Sequence, residues 1–385
     1  MWGVRRNRIA LVGAMSAAVA AGAWIFLDKN EPAPPLAHDV EAAAAKPITK
    51  DKRRVTDEVR DELLRRAQVW KPPTVPAARA SFNDINLDEL SCKFKLGDLG
   101  GTSPKFDCTL ESGEEVRIKY GNGPEVPAEA AATRLLRTLG FGADHIAIVR
   151  KLRCYGCPDE PFSTVKAVEL TRTTPLLERV VDYTEYEEFE WVGLERKFEG
   201  RPIETERLEG WSFFELDKVD AKAGGAPRAH VDALRLIAVL LAHWDNKSEN
   251  QRMVCLSAWS DNGTCAQPFL LLQDVGATFG PSKMDLTAWE QAPMWEDRAR
   301  CVVSMQTLPF DGATFGRATI TEAGRKFLDE RLKQLSDEQV TALFESARFH
   351  EKRGVFNAPH QLADWVRVFR ARARAISEGP ACPEA

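Results

Sequence analysis

The chain has 385 residues, of which 44% are hydrophobic and 28% charged, and its formal net charge is −5. These values are typical of a folded globular protein, and the length allows one large domain or two lobes. The charge is modest and no basic stripe or run of interleaved aromatic residues stands out, which argues against nucleic acid as a partner.

Residues 1–30 predict a membrane anchor. The first eight residues (MWGVRRNR) carry three arginines and no acid, and residues 9–27 are almost entirely apolar over about the length that spans a bilayer. Basic residues before the run, with Asp28 and Glu31 after it, predict a cytoplasmic N-terminus and export of the rest of the chain. The alternative is a cleaved signal peptide, but WIFL follows the alanines where a cleavage site should turn polar. We therefore favour an uncleaved anchor in the inner membrane.

Residues 31–80 predict a linker, rich in Pro and Ala at first and carrying a charged amphipathic helix within residues 51–69. From about residue 90 the hydrophobic period becomes that of strands, in SCKFKL, FDCTL and EVRIKYG, with a glycine-rich turn GDLGGTSPK after the first. PAEAAATRLLRTLGF predicts a helix. HIAIVRKLRC and STVKAVEL then predict further strands.

The segment 171–225 is ambiguous, with strand-like WVGLERKF and a short helix in GWSFFELDKV. VDALRLIAVLLAH predicts a strongly apolar helix, and QRMVCL with QPFLLLQDVG predicts an apolar hairpin. The last hundred residues are predicted to be mainly helical. Thr321 and Ser336 suit helix N-caps there, and Ser336 with Gln339 forms a capping box.

The eight cysteines favour an oxidising compartment. We expect one disulfide across each of two predicted hairpins, and a CxxC forms a third candidate pair. The alternatives are buried free thiols and a zinc site, although the chain lacks a second CxxC and a His pair at ligand spacing. The predicted pairs are Cys92–Cys108, Cys255–Cys265 and Cys154–Cys157, which leaves Cys301 and Cys382.

A dense polar cluster follows the apolar helix, in the pattern H-x-D-x-x-x-x-N at residues 243–250. In phosphoryl transfer an Asp orients or deprotonates the attacking hydroxyl, and an Asn a few residues later helps to hold the metal. Asp245 and Asn250 occupy these positions, and Lys247 can reach the transferring phosphate. The hairpin then leads to Asp274 in a D-x-G, where a carboxylate would chelate the Mg²⁺ or Mn²⁺ that bridges the phosphates and Gly276 would let the backbone turn beside the metal.

Upstream, Lys119 ends a predicted strand just after the loop that contains Gly100 and Gly101. A lysine there can neutralise the α- and β-phosphates of a nucleotide if an acidic side chain holds it in place. Glu129 in the next helix is the candidate partner. Glu125 is the competitor, but it precedes a proline and is expected to lie before the helix.

This ordered set resembles the protein-kinase-like superfamily over about residues 90–280. HWDNKSEN is similar to the catalytic-loop pattern H-R-D-L-K-x-x-N, DVG stands where D-F-G stands, and VRIK resembles V-A-I-K. GDLGG occupies the place of the glycine-rich loop without matching G-x-G-x-x-G, and no A-P-E is evident after DVG. The sequence is closer to atypical members, namely the secreted Golgi casein-kinase family, the spore-coat CotH kinases and the HipA-like kinases, as a bacterial exported member.

The resemblance implies a bilobal α+β kinase-like fold, with a small β-rich lobe at residues 81–205 and a mainly helical lobe at residues 206–385. It implies Asp245 as the catalytic base, Asn250 and Asp274 as metal ligands, and an ATP-positioning pair that consists of Lys119 and Glu129. The reaction would transfer the γ-phosphoryl group of ATP to a hydroxyl on a protein or small molecule, with Mg²⁺ or Mn²⁺ as the metal.

Several of these residues also admit structural interpretations. His243 is expected to brace the loop rather than react. Lys119 could be an exposed strand lysine, and residues 100–101 could form only a hairpin turn. Trp289 and Trp295, which follow DVG, are expected to pack in the core rather than to bind substrate.

Two other functions fit the same residues. One is AMP transfer, which the fold can support if ATP binds in a flipped orientation. The other is a non-catalytic pseudokinase that serves as a binding module, because an exported compartment such as the periplasm holds little ATP. The intact residue set argues against the pseudokinase.

Overall fold

The computed structural model describes residues 54–384 except for 174–178, 260–263, 282, 307, 309–311 and 352–358. The predicted anchor and the segment 31–50 lie outside the described residues. Within the described part, no helix is long and apolar enough to cross a membrane. The described residues all belong to one compact unit, Lys46–Ala385, which mixes helices and sheets.

The helices are α1 (Asp57–Arg65), α2 (Glu125–Thr138), α3 (Pro161–Thr171), α4 (Arg228–Leu241), α5 (Leu286–Gln291), α6 (Glu322–Leu332), α7 (Asp337–Ser346) and α8 (Leu362–Ser377). The strands are β1 (Leu87–Lys95), β2 (Lys105–Leu110), β3 (Glu115–Lys119), β4 (Gly142–Ala143), β5 (His145–Tyr155), β6 (Tyr186–Arg196), β7 (Arg201–Pro202), β8 (Gln251–Cys255), β9 (Pro268–Leu272), β10 (Val302–Val303) and β11 (Ala318–Thr319).

A closed barrel is formed by five strands in the order β1, β2, β3, β6, β5. The pairs are antiparallel except β1 with β5, which run parallel. Alternate residues of each strand fill the interior, among them Phe94, Phe106 and Ile118. The other face of β2 and β3 therefore carries the polar side chains, including Lys119.

Helix α2 crosses from the barrel to the helical part of the chain. It begins at Glu125, so this residue lies inside the helix and the expectation that it precedes the helix is wrong. Proline is tolerated in the first turn, where its missing N–H has no intrahelical acceptor, and Pro127 stands there. The helix ends before Gly140, whose φ of 90° is left-handed and favours glycine. Nearly every side chain from Val126 to Leu136 is buried.

The second sheet has the order β4, β9, β8, β7 and lies beside the apolar helix α4 in the main core. The predicted hairpin is confirmed, because β8 and β9 pair antiparallel with Gln251 opposite Leu272. Trp289 is fully buried in the same core, and its indole N–H donates to the Leu240 carbonyl at 2.8 Å. Trp295 donates to the Ala375 carbonyl at 2.8 Å, so both tryptophans have structural contacts.

Two segments differ from the prediction. STVKAVEL is not a strand, because it lies in helix α3, where Phe162, Val165 and Val168 recur every three residues and Val165 packs on the barrel. Residues 54–80 do not behave as a linker, because α1 and the residues after it bury Leu64 and Val69 completely in the main core. The segment after α1 is also tied to β9, because the Gln68 backbone donates to the Pro268 carbonyl and accepts from the Leu270 N–H.

All eight cysteines are paired, so the free-thiol alternative is wrong. The barrel hairpin bridge runs diagonally rather than between facing residues, since Phe94 faces Cys108 and Leu110 faces Cys92. The turn predicted within the Cys255–Cys265 loop lies outside the described residues. The four disulfides are Cys92–Cys108, Cys154–Cys157, Cys255–Cys265 and Cys301–Cys382.

Candidate functional site

Lys119 lies at the centre of a buried cluster of charges. Its Nζ donates to both carboxylate oxygens of Glu129 at 2.7 Å each, and it lies 3.3 Å from Oδ1 of Asp274. The side chain is 5% exposed, so the alternative in which this lysine projects into solvent is wrong. A strand, a helix and the segment after β9 thus meet at one ammonium group.

Glu195 is a third carboxylate at this centre, and sequence reasoning missed it. Its Oε2 lies 3.5 Å from Nζ of Lys119, because Glu195 stands on β6 opposite Arg117 of β3. The side chain is 2% exposed, and its Oε2 accepts no hydrogen bond within the described residues. The available signal was an acid that directly follows the apolar run WVGL in a strand-like segment.

Lys119 and Asp274 hold each other ionised in this cluster. Burial alone would lower the pKa of Lys119, but the carboxylates of Glu129, Glu195 and Asp274 outweigh it and raise the pKa well above its ordinary value. In turn the Lys119 ammonium lowers the pKa of Asp274 to about 2, against the effect of burial. Asp274 is therefore a carboxylate at physiological pH.

The open end of the β8–β9 hairpin brings Asn250 and Asp274 together. Asn250 directly precedes β8 and Gln273 directly follows β9. The backbone N–H of Gln273 donates to the backbone carbonyl of Asn250 at 3.0 Å. Asp274 is the next residue and has a φ of 48°, a left-handed conformation that Asp tolerates better than most residues. This strained position directs its side chain to Lys119.

The loop after α4 is linked to the same hairpin end. The Asn250 side chain donates its amide N–H to the Asp245 carbonyl at 2.7 Å, and Nζ of Lys247 lies 3.7 Å from Oδ1 of Asp245. Burial raises the pKa of Asp245, partly offset by the nearby charge of Lys247. The loop thus presents a carboxylate that is more basic than an exposed one.

Asn246 fixes this loop, and sequence reasoning missed this residue too. Its side chain is 1% exposed and donates to the His243 carbonyl at 2.9 Å. Its Oδ1 accepts the backbone N–H groups of Thr314 at 2.7 Å and Phe315 at 2.8 Å. Sequence reasoning missed Asn246 because it occupies an unspecified position of the motif, between Asp245 and Asn250.

His243 braces the loop, as expected. Its ring is fully buried, and Nε2 lies 3.4 Å from Oε1 of Gln251. Burial lowers its pKa to about 4, so the imidazole is neutral at physiological pH.

Glu125 does not compete for Lys119. It accepts a hydrogen bond from Ser103 of the glycine-rich loop at 2.5 Å and forms an ion pair with Lys283, which follows the D-x-G. Gly276 lies in a turn, as predicted, and it also leaves room for Glu125, since a Cβ there would lie 2.5 Å from Cγ of Glu125.

The glycine-rich loop spans residues 96–104, between β1 and β2. Gly101 has a φ of 70°, and a Cβ there would lie 3.3 Å from Nζ of Lys105, so the loop passes directly over that lysine. Gly100 is exposed, and a Cβ added to it would have no neighbour within 4 Å. The sheet face that carries Lys119 therefore lies beneath this loop.

The donor set fits a hard divalent cation. Asp274 offers an ionised carboxylate, and the Asn250 amide N–H is already used, so its oxygen is left as the donor atom. Carboxylate and amide oxygens are the ligands that Mg²⁺ and Mn²⁺ prefer. Asp274 and Asn250 would hold such an ion, and the ion would supply positive charge to neutralise bound phosphates.

No protein-family model matches the chain, and no curated protein matches it in sequence. Among solved structures, it is similar to the crystal structure of CtkA, a proinflammatory kinase of Helicobacter pylori. The TM-score is 0.43 with 9% sequence identity, over 75% of this chain and 96% of that chain. We infer what the site can do from its own contacts.

Proposed function

We propose that this chain is an ATP-dependent phosphotransferase of the atypical protein-kinase-like type, with the barrel and the helical part as its two lobes. The observation that carries the proposal is the meeting of Lys119 with Glu129, 10 residues later in the chain, and with Asp274, 155 residues later, both within 3.3 Å of one ammonium. The hairpin end adds Asn250, and the α4 loop adds Asp245. The order and chemistry of these residues are those that phosphoryl transfer needs.

Each residue has one task in this proposal. Lys119, oriented by Glu129, neutralises the α- and β-phosphates of ATP. Asp274 and Asn250 hold Mg²⁺ or Mn²⁺ against the phosphates. Phosphoryl transfer depends mainly on positioning and on charges fixed in advance, and these groups are fixed by hydrogen bonds before any substrate arrives.

Asp245 orients the acceptor hydroxyl and takes its proton. Burial raises the pKa of this carboxyl, which makes it a better proton acceptor than an exposed aspartate. Lys247, whose Nζ lies 3.7 Å from Oδ1 of Asp245, would face the transferred phosphoryl group. The acceptor is a hydroxyl on a protein or a small molecule.

The test is transfer of label from ATP. The full chain is incubated with γ-labelled or α-labelled ATP, Mn²⁺ or Mg²⁺, and an acceptor mixture, with Asp245→Asn as the matched control. Label from the γ-phosphate that depends on Asp245 supports the kinase. Label from the α-phosphate indicates AMP transfer, and nucleotide binding without any transfer indicates a binding module.

We also propose that residues 9–27 anchor the chain in the inner membrane with the catalytic domain exported. The four disulfides support this location, because such bonds persist in oxidising compartments. A reporter enzyme that works only outside the cytoplasm should be active when it is fused after Ala385. Activity of a reporter that works only in the cytoplasm would contradict the proposed orientation.

A further inference from the structure

Lys105, the first residue of β2, is a buried lysine whose Nζ has no partner among the described residues. It is 7% exposed, and no hydrogen bond or ion pair joins its Nζ to any residue in the described ranges. Lys119 is equally buried, yet three carboxylates lie within 3.5 Å of its Nζ. Carboxylates therefore neutralise Lys119 at close range, whereas none of the described residues forms an ion pair with Lys105.

The strand register places Lys105 in the candidate site. Lys105 and Lys119 are directly opposite each other in the antiparallel β2–β3 pair, and facing residues project on the same side of a sheet. The next facing pair on that side is Asp107 with Arg117, which bind each other at 2.8 Å, so Asp107 is already occupied. The glycine-rich loop covers Lys105, with Gly101 directly above its Nζ.

The local charges compensate this ammonium only in part. Burial lowers the pKa of Lys105, the distant carboxylates of Asp274 and Glu125 act in the opposite direction, and the cations Lys119 and Arg117 lower it further. A buried charge without a partner is costly and is retained where it has a use. An anion that enters beneath the loop would meet this group unopposed.

We propose that Lys105 is a second phosphate-binding lysine, which together with Lys119 holds an oligophosphate beneath the glycine-rich loop. The inference deepens the proposed function and rests on it where the oligophosphate belongs to ATP. The same chemistry would also bind free inorganic tripolyphosphate. Two ammonium groups on facing strands suit two neighbouring phosphates of one oligophosphate.

The test compares ligands and lysine variants of the full chain. Binding of inorganic tripolyphosphate, ATP and adenosine is measured by calorimetry for the parent and for Lys105→Met, Lys105→Arg and Lys93→Met. Lys93 is the matched control, because it is an exposed lysine on the same side of the barrel, opposite Thr109. Thermal unfolding of each chain without ligand is recorded in parallel.

We expect Lys105→Met to weaken tripolyphosphate binding by roughly tenfold to a hundredfold, the usual effect of one charge-assisted hydrogen bond. ATP binding should weaken similarly, while adenosine binding stays unchanged. Lys105→Arg should retain most of the affinity, and Lys93→Met all of it. Without ligand, Lys105→Met should be at least as stable as the parent, because it removes an unpaired buried charge.

Three results would overturn the inference: a parent that binds no tripolyphosphate, a Lys105→Met chain that binds it as the parent does, or a Lys105→Met chain that is less stable than the parent or fails to fold. The last would mean that Lys105 has a structural role. A parent that binds tripolyphosphate through Lys105 but transfers no phosphate from ATP would support the inference and contradict the proposed kinase.

Discussion

Lys119 balances three carboxylates at once, and this decides which substitutions can probe the site. Glu129 is almost completely buried, so removing the lysine would leave this carboxylate without its cation, while Glu195 would keep only its ion pair with Lys197. Breaking a buried ion pair from one side typically costs about 3–5 kcal/mol. Loss of activity in Lys119→Met would therefore mix catalysis with folding, whereas Asp274 is at the more exposed edge of the cluster and gives a cleaner variant.

Asp245 and Asp274 should fail differently when each is changed to Asn. Asp274→Asn removes a carboxylate proposed to hold metal against the phosphates, so it should weaken metal-dependent ATP binding and abolish turnover. Asp245→Asn removes the group proposed to orient the acceptor, so it should leave ATP binding nearly intact and lower kcat by about 10² or more. Titration of metal–ATP binding alongside turnover measures both effects.

The comparison has a clear contrary result. If Asp274→Asn binds metal–ATP like the parent while Asp245→Asn loses binding, the two roles are reversed. Asn keeps the size of the side chain, so unfolding curves of both variants should stay close to that of the parent and serve as the control.

At the scale of elements, α2 and the D-x-G segment meet through Glu125. This residue links Ser103 of the glycine-rich loop to Lys283, and Gly276 leaves the space in which its side chain lies. Three segments of the candidate site are thus joined by one carboxylate. A bulkier residue at position 276 would disturb all three.

Gly276→Ala should displace Glu125, because the new Cβ would lie 2.5 Å from Cγ of Glu125 and 3.3 Å from its carbonyl oxygen. We expect a loss of about 1–3 kcal/mol in the free energy of unfolding, the usual cost of overpacking, together with reduced turnover. The matched control is Gly316→Ala, where a Cβ would have no neighbour within 4 Å. Equal stability and turnover of the two variants would contradict the proposed contact.

The strand and helix periods in the sequence were sufficient to predict the barrel hairpin, α2, α4 and the β8–β9 hairpin. The order of the motifs was sufficient to select Lys119 and Asp274 as site residues. Helix α3 was missed because its β-branched residues favour strands and its apolar face is only three residues wide. Glu195 and Lys105 were missed for a different reason. Their neighbours come from strand pairing, Glu195 opposite Arg117 and Lys105 opposite Lys119, and register across a barrel is not written in the local sequence.

At the scale of the whole molecule, two histidines couple folding to pH. Burial lowers the pKa of both His243 and His145 to about 4. Between that value and the ordinary value near 6.5, the unfolded chain binds more protons than the folded one, so stability increases as pH rises and is lost as pH falls through this window. The lowered pKa of the fully buried His243 corresponds to a change of at most roughly 3 kcal/mol in the free energy of unfolding over this pH window.

We therefore expect the free energy of unfolding to decrease as pH is lowered from about 6.5 to 4. His243→Gln and His145→Gln should each flatten this dependence, and the double variant more than either alone. Denaturant unfolding at several pH values measures the slope, which is independent of any constant loss of stability that the substitutions cause. A slope that the double variant leaves unchanged would contradict the assignment.

The disulfides should contribute unequally to stability. In the loop-closure description, the Cys301–Cys382 bridge, with a sequence separation of 81, is worth about 4.5 kcal/mol, and the Cys154–Cys157 bridge, with a separation of 3, about 2 kcal/mol. Replacing both members of the first pair by Ala should therefore destabilise the chain more than the same change in the second. Denaturant unfolding of the two double variants tests the order, and the reverse order would contradict it.

The same pairing has a consequence for maturation. Along the chain each cysteine is joined to the next one, first with second, third with fourth, and so on to the last, which stands at position 382 of 385. A chain that is oxidised in order of emergence from a translocation pore thus acquires every native bridge by simple consecutive pairing. Such a chain needs an oxidase but no isomerase to reshuffle its bonds, and it should mature fully in cells that lack the isomerase.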